Sequence, residues 1–283
     1  MEFEKVTVIG AGTMGHGIAQ ICAQADYKVF LYDPSEEALE KGQKRIIQNL
    51  DNGIKRNKVT VERKNRTLAN LNFTSDLKTA VEKTDIVIEA IPEILDLKQE
   101  TFAKIDELTP EHTIFASNTS SLSISDIASS VSDPTRVLGA HFFNPVHIMQ
   151  LLEVVFHETT GVDVIDALKG FGRRLGKEPI VVRNRPGFAT SRLGVALGME
   201  AIRMVQEGVA SVDDIDKAME LGYRHPMGPL KLTDLVGLDV RMAIGEYLAR
   251  TLNNPSFEPP ELMRRMVKQG KLGKKTREGF YRW

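Results

Sequence analysis

Short apolar runs alternate with helical stretches through the first two-thirds of the chain. The runs at 6–9, 29–32, 86–88 and 113–116 are continuous rather than alternating. That pattern predicts strands buried on both faces of a parallel sheet. Runs at 137–141 and 180–182 continue the series, and 151–155 reads as another apolar strand with one acid, Glu153, inside it. Strands separated by helices give the doubly wound α/β arrangement. Residues 35–66 carry many charges at helical spacing and are too long for an ordinary crossover helix, so a projecting helix pair is expected there. At Arg185-Pro186-Gly187-Phe188 the pattern changes. Beyond it only helices are expected: 190–207, ended by Gly208; a helix opened by Ser211-Val-Asp-Asp214 in the manner of a capping box and stopping at Gly222; one long helix over 229–252; and a short last one over 260–269. The expected domains are therefore a doubly wound, Rossmann-type sheet domain over 1–185 and an all-α domain over 186–283.

The first strand runs into Gly10-Ala-Gly12-Thr13-Met14-Gly15, and eighteen residues past Gly15 the second strand ends in Asp33. Glycines alone are a weak signal; glycines between a strand and a helix, with an acid at the next strand's tip, are a strong one. Gly10 allows the tight turn, Gly12 a close approach of backbone to a pyrophosphate, and Gly15 close packing of the helix on its strand. The helix N-terminus then faces the phosphates. Asp33 would accept from ribose hydroxyls and repel a 2′-phosphate, which selects NAD over NADP. The candidate cofactor contacts are Gly10, Gly12, Thr13, Met14, Gly15 and Asp33.

Composition narrows the class. The 283 residues are 42% hydrophobic with a net charge of −1, so neither nucleic acid nor a membrane surface is implied as a partner. The single cysteine, Cys22, sits in the first helix and reads as a buried thiol. No metal site is expected. No basic-then-apolar leader precedes the first strand and no apolar run reaches spanning length, so a soluble cytoplasmic protein is expected. A helix as apolar as 190–207 must be covered on several sides, and a homodimer through the C-terminal helices would do this.

Three segments carry candidate chemistry. Ser117-Asn118-Thr119-Ser120-Ser121-Leu122 follows a strand, where ligands of doubly wound sheets bind; it also suits a helix N-cap. His141 ends a later strand and points to the same crevice. Glu153, buried in its strand, is costly unless paired, and His141 is the natural partner. The carboxylate would fix the imidazole tautomer and raise its basicity, giving the base that alcohol oxidation needs; a purely structural pair is the alternative. Glu89, Glu93 and Lys98, at the end of the strand at 86–88, are candidates for the ribose and nicotinamide side, or else ordinary helix-start charges.

These residues together resemble the L-3-hydroxyacyl-CoA dehydrogenase family nearly end to end. The resemblance covers the glycine turn, the serine cluster, His141-Phe-Phe-Asn-Pro145, Pro186-Gly-Phe188, His225-Pro-Met-Gly-Pro229, Lys271-Leu-Gly-Lys-Lys-Thr276 and Gly279-Phe-Tyr281. It implies NAD-dependent, reversible oxidation of a short-chain (S)-3-hydroxyacyl-CoA. His141 would be the base, Glu153 its partner, and Ser120 a contact to both nicotinamide and substrate. Asp33, Glu93, Lys98 and Asn144 match NAD-contacting positions, and Lys275 a lysine near cofactor or CoA phosphates. Asn49 and Arg56 fall near positions that hold CoA. One position departs from the family's pattern: Ser191 stands where an asparagine usually contacts the substrate, and its shorter hydroxyl could act through a water. A related dehydrogenase of a free hydroxy or sugar acid, and a non-catalytic NAD-binding protein of crystallin type, stay open at this level.

Overall fold

The computed structural model describes residues 3–283. The chain divides into two compact units, one ending at Asn184 and the other running from Arg185 to Trp283.

The first unit contains β1 (Lys5–Ile9), α1 (Gly15–Gln24), β2 (Lys28–Tyr32), α2 (Glu36–Lys55), α3 (Val61–Ala69), β3 (Leu71–Thr74), α4 (Leu77–Val81), β4 (Ile86–Glu89), α5 (Leu95–Asp106), β5 (Ile114–Ser117), α6 (Ile124–Ala128), β6 (Val137–Phe142), β7 (Leu151–Phe156), α7 (Val162–Arg174) and β8 (Glu178–Arg183). The eight strands form one sheet in the order β3-β2-β1-β4-β5-β6-β7-β8. Strand order reverses between β1 and β4, which opens a crevice beyond their carboxyl ends.

The sheet departs from the expected parallel series at one end. β6 and β7 pair antiparallel, and β8 runs parallel to β7. The run at 180–182 therefore belongs to a reversed pair. It is also not buried: Ile180 and Val181 are 39% and 44% exposed. β8 is an edge strand, the place where Pro179 can sit without costing a ladder hydrogen bond. The other edge, β3, escaped the sequence reading because only Leu71 of its four residues is buried.

Val6, Val8, Val29, Leu31, Ile86, Ile88, Ile114 and Ala116 form the core with Ile18 and Ile21 of α1. Cys22 is wholly buried there, and desolvation pushes its thiol up. The helix pair is α2 and α3. Ser35 caps α2 by accepting from Ala38 N, and Thr60 caps α3 by accepting from Arg63 N. α2 buries only Leu39, Gly42, Ile46 and Leu50, a single stripe at helical spacing. Asn49 Nδ2 donates to Gln20 Oε1 at 3.1 Å, which ties the arm to α1.

The second unit contains α8 (Thr190–Gln206), α9 (Val212–Lys217), a π-helical segment at Ala218–Gly222, α10 (Pro229–Val236), α11 (Leu238–Leu252) and α12 (Glu261–Lys268). Its core gathers Val195, Met199, Ile202, Ile215, Leu230, Leu238, Leu248 and Met263. Ser211 Oγ accepts from Asp214 N at 3.1 Å and donates to Asp214 Oδ2 at 2.6 Å, a variant of the capping box. The single helix expected over 229–252 is two. Gly237 adopts φ +106°, a conformation closed to L side chains without strain, and the chain restarts as α11 with Asp239 in its first turn. On α8 the five residues Val195, Gly198, Met199, Ala201 and Ile202 are buried, while Leu193 is 71% exposed.

Candidate active site

The glycine turn closes on itself. Gly10 N donates to Tyr32 O at 2.7 Å, and Gly10 has φ +99°. A Cβ on Gly15 would lie 1.7 Å from the Gly10 carbonyl oxygen, whereas the nearest β1 side chain would be at an ordinary 3.5 Å. Gly15 is therefore required by the turn itself more than by packing of α1 on β1. Gly12 is different: a Cβ there would meet nothing within 4 Å. Gly12 and Thr13 are exposed, and no side chain caps the N-terminus of α1. An exposed turn before an uncapped helix start fits a pyrophosphate, which would take the place of a cap.

Asp33 ties this turn to the tip of β2. Its Oδ2 accepts from Ala11 N at 2.9 Å and its Oδ1 from Ser35 N at 3.0 Å. A carboxylate has about four acceptor sites, so two such bonds leave capacity for ribose hydroxyls.

Beyond β4 and β5 lies a polar cluster. Lys98 is 1% exposed and Glu89 fully buried; the Lys98 ammonium donates to Glu89 Oε1 and stands 3.4 Å from Glu93 Oε2. Glu89 also accepts from Ser117 Oγ at 2.6 Å and Ile91 N at 2.8 Å. Glu93 organises the serine loop. Its Oε1 accepts from Thr119 Oγ1, from Ser120 N at 3.0 Å and Oγ at 3.4 Å, and from Ser121 N at 3.2 Å and Oγ at 3.1 Å. Burial pushes the Glu93 carboxyl up, but the Thr119, Ser120 and Ser121 bonds and the Lys98 charge outweigh it and hold it below its ordinary value. The helix that follows is capped by Ser123, just beyond the cluster, so neither Ser120 nor Ser121 serves as its N-cap.

His141 and Glu153 are directly opposite residues of the antiparallel β6–β7 pair. His141 Nδ1 and Glu153 Oε2 are 2.7 Å apart, with Glu153 fully buried and His141 7% exposed. A carboxylate at Nδ1 assigns the proton there and leaves Nε2 as the basic nitrogen. Asn118 Oδ1 accepts from Phe142 N at 2.9 Å, joining the serine loop to the end of β6. Asn144 lies exposed just beyond, before a cis Pro145.

The structure thus gathers the glycine turn, Asp33, Glu93, Ser120, His141 and Asn144 at the carboxyl ends of β1, β2, β4, β5 and β6. Asn49 and Arg56 lie elsewhere in the same unit. They line a cavity of about 470 Å³ with Asn52, Lys58, Arg63, His147, Arg174 and Lys177, and no carboxylate among the described residues lines it. Lys177 also donates to the carbonyls of Val146 and Met149 in the β6–β7 connection. Arg63, Arg174 and Lys177 escaped the sequence reading because they come from separate elements with no common spacing. The two remaining candidates are in the second unit. Ser191 is half-buried in the first turn of α8, and Lys275 is paired with both oxygens of Asp239, the longer contact being 2.6 Å.

A sheet with this order, this turn and a buried histidine–carboxylate pair near the same strand ends fits a dinucleotide-dependent oxidoreductase. Residues 5–185 match the NAD binding domain of 3-hydroxyacyl-CoA dehydrogenase and residues 187–283 match its C-terminal domain. The chain is 44% identical to the mitochondrial hydroxyacyl-coenzyme A dehydrogenase of Rattus norvegicus, over 99% of this chain and 91% of that one. It is 42% identical to a probable 3-hydroxybutyryl-CoA dehydrogenase of Bacillus subtilis, over 99% of this chain and 98% of that one. The crystal structure of (S)-3-hydroxybutyryl-CoA dehydrogenase from Ralstonia eutropha matches with a TM-score of 0.96 at 41% identity, covering 100% of this chain and 99% of that one. The chain belongs to the 3-hydroxyacyl-CoA dehydrogenase family: it is an NAD-dependent oxidoreductase acting on 3-hydroxyacyl-CoA. No helix among the described residues is long and apolar enough to cross a membrane.

Proposed function

We propose that the enzyme oxidises short-chain (S)-3-hydroxyacyl-CoA reversibly to 3-oxoacyl-CoA, with His141 as general base. The observation that carries this is the 2.7 Å contact of His141 Nδ1 with Glu153 Oε2, with His141 near the carboxyl end of β6, on the side of the sheet that also bears the glycine turn. NAD, when bound, takes up the hydride that leaves C3. His141 Nε2 accepts the hydroxyl proton, and Glu153 holds the ring and stabilises the imidazolium that results. The Ser120 hydroxyl, steadied by Glu93, positions the substrate oxygen. Gly10, Gly12, Thr13, Met14 and Gly15 hold the pyrophosphate and Asp33 the ribose. Glu93, Lys98 and Asn144 serve the nicotinamide side, with Lys98 acting from beneath Glu93. Lys275 reaches cofactor or CoA phosphates.

The CoA nucleotide belongs on the cavity of Asn49 and Arg56. What supports this is its lining of Arg56, Lys58, Arg63, Arg174 and Lys177 without a carboxylate; a site so biased in charge favours a polyanion. Ser191 of the second unit is assigned to substrate contact, and the helices of that unit to a homodimer. Short chains are supported by the names of the 3-hydroxybutyryl-CoA relatives. A net charge of −1 supports neither nucleic acid nor a membrane surface as partner, and a cytoplasmic location completes the proposal.

The test is consumption of NADH with acetoacetyl-CoA and with free acetoacetate. Turnover is expected on the CoA ester alone; equal rates on the free acid would remove the CoA assignment. His141→Gln is expected to lower kcat by about 10²- to 10⁴-fold while shifting the NADH Kd by less than about threefold. Retention of most of the turnover would remove His141 as the base.

A further inference from the structure

Among the described residues that line the cavity of Asn49 and Arg56, His147 is the side chain that titrates near neutral pH. It sits in the tight connection between β6 and β7. Ile148 N and Met149 N both donate to Pro145 O, at 2.9 and 3.0 Å. The Lys177 ammonium donates to the carbonyls of Val146 and Met149, on either side of the histidine. A Cβ on Gly17 would lie 2.9 Å from Val146 Cβ, so the first turn of α1 is pressed against the same connection. The segment that carries His147 is therefore fixed before a ligand arrives, and little ordering remains to be done on binding.

The charged groups around His147 are all of one kind. Arg56 comes from α2, Lys58 from the turn after it, Arg63 from α3, Arg174 from α7 and Lys177 from the segment before β8; no carboxylate among the described residues joins them in the lining. α1 adds His16 beside the cavity, itself facing Arg45 of α2. A histidine set among cations stays neutral, because its imidazolium would be repelled from every side. Desolvation, and then the charges of His16, Lys177 and Arg56, hold His147 below its ordinary value. A phosphate in the cavity reverses the balance. The neutral ring offers it one N–H and one acceptor nitrogen, whereas the imidazolium offers two donors and a charge.

We propose that His147 is a phosphate contact of the CoA nucleotide and that it takes up a proton from solvent as the nucleotide binds. The inference rests on the CoA nucleotide lying in this cavity, as in the function proposed above. The ring then donates N–H to a phosphate oxygen, and no covalent bond changes. The ligand raises the value of His147, so the added affinity is present at low pH and is lost as pH rises through the liganded value. His16 is the weaker candidate for the proton. It does not line the cavity, and its Nδ1 is already 2.7 Å from Gly12 O.

Adenosine 3′,5′-bisphosphate, the nucleotide end of CoA without pantetheine or acyl group, tests this apart from His141. Calorimetry near neutral pH, in two phosphate-free buffers of different ionisation enthalpy, counts the protons exchanged. Wild-type enzyme is expected to take up about half a proton per nucleotide, and its Kd to tighten by about three- to tenfold between about pH 8 and about pH 6.5. The ligand's own phosphates would lose protons in a basic site, which is release, the opposite sign. His147→Gln should abolish the uptake and flatten the pH profile, with Kd at the alkaline end within about twofold of wild type. The His147 imidazole resonance, identified by its loss in that variant, should titrate at higher pH with nucleotide than without. Arg56→Ala separates the two readings. If it weakens binding while the wild type takes up no proton, the CoA site stands and the proposal is overturned. Uptake that survives His147→Gln and is lost in His16→Gln overturns it as well. A nucleotide affinity untouched by Arg56→Ala removes the CoA site, and the proposal with it.

Discussion

A carboxylate in the middle of a buried strand costs several kcal/mol unless its charge is answered, and at Glu153 the answer is the imidazole directly across the ladder. This residue could be read from sequence because it breaks an apolar strand, and because His141 was the titratable group nearest to the end of the strand before it. Other residues of the site were legible by type and not by partner. Glu93 and Ser120 are 27 positions apart, and nothing in their spacing foretells that one Glu93 oxygen collects the backbone and hydroxyl groups of both Ser120 and Ser121. Lys98 reads from the sequence as a cofactor-side cation or an ordinary helix-start charge, and its burial, at 1% exposed, against Glu89 and Glu93 is not foretold. The pair at His141 gives a direct prediction. Glu153→Gln keeps an acceptor for Nδ1–H but removes the negative charge that stabilises an imidazolium. Its kcat should fall by about 10²- to 10⁴-fold, with NADH affinity by fluorescence titration little changed. An NADH affinity falling in step with kcat would instead mean that Glu153 holds the site together without serving the base.

At the scale of the element, α1 and the turn before it were the clearest part of the sequence, because strand, glycines, helix and acid all had to agree. The edge β3 was the least clear, because it buries only Leu71 and carries no continuous apolar run. β8 was legible as a strand from its run at 180–182, but neither its exposure nor its place in a reversed pair was. Gly237 was missed for a related reason: a lone glycine is tolerated within a helical pattern, and only its φ of +106° shows that α10 ends there. The glycines of the turn differ from one another in a way that can be measured. Gly15→Ala drives a Cβ to 1.7 Å from the Gly10 carbonyl oxygen, so backbone must move. It should cost about 1–3 kcal/mol of stability, seen as a lower Tm, together with NADH affinity. Gly12→Ala adds a Cβ to open space. Its Tm should hold, a change within about 0.5 kcal/mol, while NADH affinity falls because the methyl group occupies the cofactor's approach. A parallel response of the two variants would show that Gly12 is structural and that the open side of the turn receives no ligand.

For the whole molecule, self-association is the open question that the surface of the second unit raises. Leu193 is 71% exposed, Leu221 79% and Tyr223 76%, all within one helical unit. Scattered apolar residues need no explanation; the homodimer proposed for this unit would cover these large apolar side chains if they share its interface. A standard interface removes about 1,600 Å² from water, and three or four such side chains near its centre would supply much of its affinity. The chain has a mass of 31.5 kDa, so sedimentation at micromolar concentration should return a species of twice that mass. Leu193→Asp and Leu221→Asp put an unpaired charge into the proposed interface and should shift the species toward monomer without unfolding it, because both residues are exposed in the isolated chain. Near-native Tm extrapolated to low concentration, together with a lower sedimentation coefficient, would establish the interface. A monomeric wild type under the same conditions would remove the dimer and leave these residues as ordinary exposed surface. It would leave the His141–Glu153 chemistry untouched, since both of those residues belong to the first unit.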